Sequence, residues 1–157
     1  MSRFILSAAL LALAACETPV GPAPDASASN ATPTAASLTV SGAYVPAAPA
    51  GGTSGLFFTV SAGPTADTLL AVQTDVAART EIHESIDAGD GMRGMRAVRG
   101  VPVPVGTGVA LAPGGTHAML FEVTQALAPG DTVRAVALFA RAGEVPVVAV
   151  VRSLQEM

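Results

Sequence analysis

The chain has 157 residues, a formal net charge of −4 at pH 7, two His, a single Cys and no Trp, and all of its basic residues are Arg. This length fits one folded domain of about 110–120 residues behind a short leader and linker. The acidic balance and the scattered Arg residues argue against nucleic-acid binding, and the absence of Lys excludes catalysis by a lysine amine.

Residues 1–15 are predicted to be an export signal. A short basic start with Arg3 precedes an apolar run over residues 4–12, which is too short to span a hydrocarbon core of about 30 Å. The run ends in LAAC at residues 13–16, which resembles the lipobox of bacterial lipoproteins. That resemblance implies cleavage before Cys16, lipidation of its sulfur, and an anchor in the bacterial cell envelope that faces the periplasm. The alternative is an ordinary signal peptide with a chance Cys.

Residues 16–37 are predicted to form a flexible tether between the lipid anchor and the domain. They contain four Pro among Ala, Ser, Thr and Gly. Such a segment holds too little apolar surface to order itself. The folded domain is therefore expected to cover residues 38–157.

The predicted domain consists of short β-prone runs bounded by Gly, Pro, Asp or Ser. No segment in it shows the period of an amphipathic helix. Many short strands with turns between them predict an all-β sandwich or barrel. The predicted strands lie within residues 38–41, 55–60, 69–74, 79–84, 108–111, 117–123, 132–139 and 145–154.

A candidate metal site arises from five residues between positions 83 and 119. The two His residues of the chain, His83 and His117, fall in this stretch together with Met92, Met95 and Met119. His117 and Met119 are two apart in a predicted strand, so their side chains point to the same face. Met92 and Met95 lie in a glycine-rich, polar stretch, where we expect Met to be exposed rather than buried.

Thioether and imidazole ligands together suit Cu(I). The single Cys is the predicted lipidation site, so the domain offers no thiolate for a blue-copper centre. A Zn(II) or Cu(II) buffer that uses both His residues with Glu81 or Glu84 is an alternative, although zinc does not select Met. These two Glu residues are interpreted first as exposed acids, and second as acceptors that fix a histidine tautomer.

The same stretch resembles the periplasmic copper chaperone family PCu(A)C. That family carries a His, a Met after a glycine-rich loop, a long spacer, and a His-x-Met motif. Here the first His is His83, and residues 96–116 separate Met95 from the His-Ala-Met motif at 117–119, which is the family spacing. Further similarity lies in residues 42–46, 96–104, 111–117, 130–133 and 138–139, so the resemblance covers residues 38 to about 151.

The resemblance implies a cupredoxin-like or immunoglobulin-like Greek-key β-sandwich. It implies one Cu(I) ion on His83, Met95, His117 and Met119, with Met92 as an auxiliary ligand or a docking contact. It also implies a carrier rather than an enzyme. Such a carrier delivers copper to a cuproprotein acceptor such as cytochrome oxidase, or exchanges it with a partner copper chaperone.

Two departures from the family pattern affect the assignment of ligands. Residues 84–86 stand where the family often has Met, and Met92 and Met95 are one residue farther apart than the family's Met-x-Met pair. We therefore assign Met95 by its distance from the later motif. The cluster of Arg93, Arg96 and Arg99 is either a solvated face or a contact for an acidic partner.

A rival function is an adhesion or assembly sandwich that binds no metal, because fold alone does not fix function. This rival predicts that His83 and His117 lie more than about 10 Å apart, far beyond a metal–nitrogen bond of about 2.0 Å.

Overall fold

The computed structural model describes residues 37–156, so the predicted signal, Cys16 and most of the tether lie outside the described residues. The described chain consists of strands, turns and one short 3₁₀ helix, Leu154–Glu156. No helix within it is long and apolar enough to cross a membrane. The strands are β1 (Leu38–Pro46), β2 (Ser54–Ala62), β3 (Asp67–Thr74), β4 (Ala77–Gly89), β5 (Met92–Ala97), β6 (Val101–Val103), β7 (Gly108–Leu111), β8 (Thr116–Val123), β9 (Thr132–Phe139) and β10 (Gly143–Arg152).

The strands form two sheets that share β2. In the small sheet, β5, β4 and β8 lie in that order, and residues 54–56 of β2 pair with β8. In the large sheet, residues 58–61 of β2 pair with β7, and the order from β2 is β1, β10, β9, β3 and β6. All of these pairings are antiparallel except the parallel pairing of β1 with β10. The predicted all-β sandwich is confirmed.

One hydrophobic core fills the space between the sheets. Successive side chains of a strand point to opposite faces, so every second residue enters the core. In the small sheet, Ile82 of β4 and Ala118 and Leu120 of β8 are buried. Burial of a leucine side chain contributes about 1.5–3 kcal/mol. Among the described residues, the core and the apolar side chains packed on it lie between positions 38 and 151.

A hairpin between β4 and β5 forms one edge of the small sheet. Its turn uses Asp90 and Gly91 at φ angles of 53° and 75°, and positive φ at both central residues is typical of a type I′ turn. The predicted strands did not include β5, because its glycine-rich, polar sequence lacks apolar alternation. Met92 and Met95 on this strand are each 61% exposed, which confirms the expected exposure.

Candidate metal centre

His83 on β4 and His117 on β8 occupy directly opposed positions in the antiparallel pairing. Opposed residues point to the same face of a sheet, and this is the outer face because Ile82 and Ala118 fill the core side. The ring centroids are 6.3 Å apart. That separation is near the upper end of what one ion with metal–nitrogen bonds of about 2.0–2.1 Å can bridge. The adhesion rival predicts that the two His residues lie far apart, and this prediction is therefore wrong.

A pocket of about 280 Å³ opens on this outer face beside His117. Met119 lines it from two positions farther along β8, and Met95 lines it from β5, where it lies opposite Ser85 of β4. Three of the four predicted ligands thus share one pocket. His83 does not line the pocket but lies next to His117, with 15% of its side chain exposed.

Each imidazole has one nitrogen committed to an oxygen acceptor. His117 Nδ1 lies 3.0 Å from the carbonyl oxygen of Gly115, and His83 Nε2 lies 2.8 Å from Oε2 of Glu81. Because both oxygens only accept, each of these nitrogens carries the proton, and the opposite nitrogen of the neutral ring keeps its lone pair. His83 Nδ1 is buried and has no hydrogen-bond partner among the described residues. A buried, unpartnered lone pair is a fitting metal ligand.

Glu81 orients His83 and is itself held by Arg79. The hydrogen bond from His83, and then the bonded guanidinium of Arg79, hold the pKa of Glu81 below its usual range. A carboxylate on the far nitrogen of a histidine is the usual partner of metal-binding histidines. The first interpretation of Glu81, a simple exposed acid, is therefore wrong. The sequence did contain a signal for this contact. Residues 81 and 83 are two apart on one strand, so their side chains share a face.

Glu84 does not take part in this network. It points to the other face of β4 and pairs with Arg96 of β5 at 2.8 Å. The alternative in which Glu84 fixes a histidine tautomer is therefore wrong.

Two phenyl rings flank the histidine pair. The Phe57 ring centroid lies 6.1 Å from that of His117, and the Phe121 ring centroid lies 5.9 Å from that of His83. The guanidinium of Arg79 covers the Phe121 ring, with its carbon 4.0 Å from the ring centroid. These side chains shield the imidazoles from water on both sides. Such shielding favours coordination by neutral, soft donors over the binding of a hydrated ion.

Met92 lies apart from the other candidate ligands. Alternation along β5 places it on the face opposite Met95, and it does not line the pocket.

Cys16, the predicted lipidation site, lies outside the described residues. Within residues 37–156, no group of three or more His, Cys, Asp or Glu is arranged to hold a metal ion. A shallower depression of about 590 Å³ beside Pro129 and Val151 has no His or Met in its lining.

Comparison with known proteins identifies the family and the fold. The sequence matches the LpqE-like lipoprotein family over residues 38–151. No curated protein matches it in sequence. Among similar solved structures, the copper-bound PCuAC domain from PmoF2 has 21% identity and a TM-score of 0.61, over 74% of this chain and 92% of that one. The apo PCuAC domain from PmoF1 has 24% identity and a TM-score of 0.61, over 74% and 93%. The solution structure of CuI-DR1885 from Deinococcus radiodurans has 25% identity and a TM-score of 0.60, over 80% and 85%.

The family match covers most of the chain, and the solved structures share its fold over most of their own length. The resemblance to PCu(A)C proteins and the predicted β-sandwich class are confirmed. The chain belongs to the LpqE-like lipoprotein family and has the fold of the PCuAC domains.

Proposed function

We propose that this protein is a copper carrier of the bacterial envelope that binds one Cu(I) ion through His83, Met95, His117 and Met119. The observation that carries the proposal is the convergence of Met95, Met119 and His117 on one pocket, with His83 opposed to His117. Two thioethers and two neutral imidazoles form the soft, uncharged donor set that suits Cu(I). Two similar domains, from PmoF2 and from Deinococcus radiodurans, have been solved with copper bound.

The geometry of Met95 supports a carrier rather than a storage site or an enzyme. Its side chain is 61% exposed at the sheet edge, whereas His117 is only 5% exposed. An acceptor can therefore replace the Met95 thioether first, while the buried imidazole still holds the ion. Stepwise exchange of this kind transfers Cu(I) without releasing it into water.

We further propose that Cys16 carries the lipid anchor and that residues 16–37 tether the domain to the membrane on its periplasmic side. The family is one of lipoproteins, and the LAAC sequence at residues 13–16 fits that role. The cargo would pass to a cuproprotein acceptor such as cytochrome oxidase, or to a partner copper chaperone, as the resemblance to PCu(A)C proteins implies.

The Zn(II) or Cu(II) buffer is the weaker alternative. It requires a carboxylate in direct contact with the metal alongside the two His residues. The nearest candidate is Glu81, but its carboxylate already accepts the Nε2 proton of His83. Nothing in that alternative accounts for the two thioethers at the pocket.

Competition titration tests the proposal. The chain from Glu17 onward, which retains every core residue that the structure describes, is titrated anaerobically with Cu(I) against a chromophoric chelator. We expect one-to-one binding that weakens strongly in the Met95→Leu/Met119→Leu double variant, because leucine keeps the volume of methionine but offers no donor atom. Unchanged affinity in this variant would contradict the assignment, and tighter binding of Zn(II) than of Cu(I) would favour the buffer.

A further inference from the structure

Arg93 lies at the mouth of the copper pocket. It is two positions before Met95 on β5, so both side chains occupy the outer face of the small sheet. Its Nη1 donates a hydrogen bond of 3.2 Å to the carbonyl oxygen of Gly114. Gly114 and Met95 both line the pocket, so the guanidinium bridges the two sides of its rim.

Arg93 makes no ion pair among the described residues. Asp87 lies directly opposite it on β4, but the carboxylate of Asp87 accepts a hydrogen bond from the backbone N–H of Gly89 instead. Among the described residues, Arg96 pairs with Glu84 and Arg79 pairs with Glu81, but no carboxylate lies within ion-pair distance of Arg93. The single carbonyl contact engages one of the five N–H donors of a guanidinium. None of the residues that line the pocket is acidic. A chain of net charge −4 therefore presents a guanidinium that is not in an ion pair where its cargo would enter and leave.

This charge does not help to hold copper. A Cu(I) ion on two thioethers and two neutral imidazoles keeps its positive charge, and a cation nearby repels it. The position of Arg93 is better suited to contact with a second molecule. Guanidinium groups bind carboxylates through two parallel hydrogen bonds, and Met and Arg are both enriched at protein interfaces.

We propose that Arg93 recruits an acidic acceptor, so that a carboxylate on the acceptor's face docks at the pocket mouth beside Met95. This inference rests on the proposed copper-carrier function and adds the chemistry of the partner to it. The incoming carboxylate takes the guanidinium in place of the Gly114 carbonyl. The acceptor's own metal ligands are thereby brought next to the most exposed ligand, where exchange begins.

Transfer kinetics with two small acceptors test this directly. The Cu(I)-loaded chain is mixed in a stopped-flow instrument with bathocuproine disulfonate, which is anionic, or with neocuproine, which is neutral. We expect Arg93→Gln to slow transfer to the anionic chelator by about tenfold, at the lower end of the range of electrostatic steering, and to leave transfer to neocuproine unchanged. Raising the salt from 0.1 M to 1 M, which shortens the screening length from about 10 Å to about 3 Å, should slow the unsubstituted chain in the same selective way.

Arg96→Gln is the matched control. It removes the same charge from the same strand, but on the opposite face, where Arg96 is already paired with Glu84. We expect it to leave both transfer rates unchanged. Equal slowing by both substitutions, no slowing by Arg93→Gln, or a transfer rate independent of chelator concentration would overturn the inference. Failure of the unsubstituted chain to bind Cu(I) at equilibrium would instead refute the proposed function, and this inference with it.

Discussion

Glu81 and His83 lie two positions apart on β4, and the carboxylate of Glu81 accepts the Nε2 proton of His83 at 2.8 Å. This contact leaves the lone pair on the buried Nδ1. Replacing Glu81 by Gln removes the charge that favours this tautomer, and we expect Cu(I) affinity to fall by about 10- to 100-fold, as is usual for such partners of metal-binding histidines. Competition titration at constant pH measures the change.

Glu84→Gln provides the comparison for that substitution. Glu84 lies on the same strand and is also half-exposed, but it pairs with Arg96 on the other face. We expect its replacement to leave Cu(I) affinity unchanged. A loss of affinity equal to that of Glu81→Gln would mean that net charge, rather than the orientation of His83, controls binding.

Met92 and Met95 form a matched pair within one strand, because each side chain is 61% exposed. A methionine-selective alkylating reagent should therefore modify the two thioethers at similar rates in the metal-free chain. Under anaerobic conditions, one equivalent of Cu(I) should protect Met95 and leave Met92 reactive, since only Met95 lines the pocket. Peptide mapping by mass spectrometry distinguishes the two sites. Equal protection of both thioethers would indicate that Met92 is an auxiliary ligand.

Gly55 leaves room for the ring that flanks His117. It lies opposite Met119, and a Cβ atom at this position would stand 2.7 Å from Cζ of Phe57. We expect Gly55→Ala to displace the Phe57 ring into the pocket and to weaken Cu(I) binding several-fold, with a loss of stability of about 1–3 kcal/mol, typical of overpacking. Chelator competition and urea unfolding give the two quantities.

A second glycine gives the control for Gly55. A Cβ atom at Gly108 on β7 would meet Ser61 Oγ at 3.3 Å and Thr59 Cγ2 at 3.4 Å, and none of these three residues lines the pocket. Gly108→Ala should leave Cu(I) affinity intact. Reduced affinity in this variant would show that any strain in the strands around the site is enough to disturb it.

Asp67 joins the start of β3 to the turn between β9 and β10. Its carboxylate accepts hydrogen bonds from the backbone N–H groups of Thr68, Arg141 and Ala142, at 2.7, 2.9 and 2.9 Å. Asn supplies only one acceptor oxygen, and its amide would face an N–H donor. We expect Asp67→Asn to lower the free energy of unfolding by about 1–3 kcal/mol, the cost of an unsatisfied buried group, as urea unfolding at pH 7 will show.

The same carboxylate makes stability depend on pH. Burial raises the pKa of Asp67, but the three backbone donors and the charge of Arg141 outweigh it and hold the pKa below the usual value of 3.8. Stabilisation by a carboxylate with a depressed pKa is complete above its unfolded pKa and is lost as the pH falls through the folded pKa. The stability difference between the unsubstituted chain and Asp67→Asn should therefore be constant near neutrality and shrink below about pH 4. A difference that does not change on acidification would contradict this role.

Local sequence patterns were sufficient to predict most of the strands that contribute to the core. The three-residue strand β6 was not predicted, although its Val101 and Val103 are buried there. Alternation around Leu120 reflects a strand with one face in the core, whereas the continuous β-rich run at residues 55–60 reflects a strand buried along most of its length. The edge strand β5 escaped prediction because it has no buried face, and both of its Met residues point into water or toward the pocket rim. Once β5 is known to be a strand, the alternation of its side chains places Met92 and Met95 on opposite faces.

The arrangement of the candidate site was predictable only in part. The shared face of His117 and Met119 follows from their spacing, because it is a property of one strand. The direct opposition of His83 and His117 depends on the register between β4 and β8, which core packing sets and no local pattern encodes. The contact between Arg93 and Gly114 depends in the same way on the approach of β5 to the turn that contains Gly114.

The alternation of β8 couples assembly of the site to folding. Ala118 and Leu120 enter the core while His117 and Met119 face outward on the same strand. A slip of one residue against β4 would exchange the two sets, moving an imidazole into the apolar core and the leucine to the outer face. The register between β4 and β8 is therefore strongly specified by the burial of Ala118 and Leu120. The donor side chains of the candidate site are thus placed by the same register that fills the core.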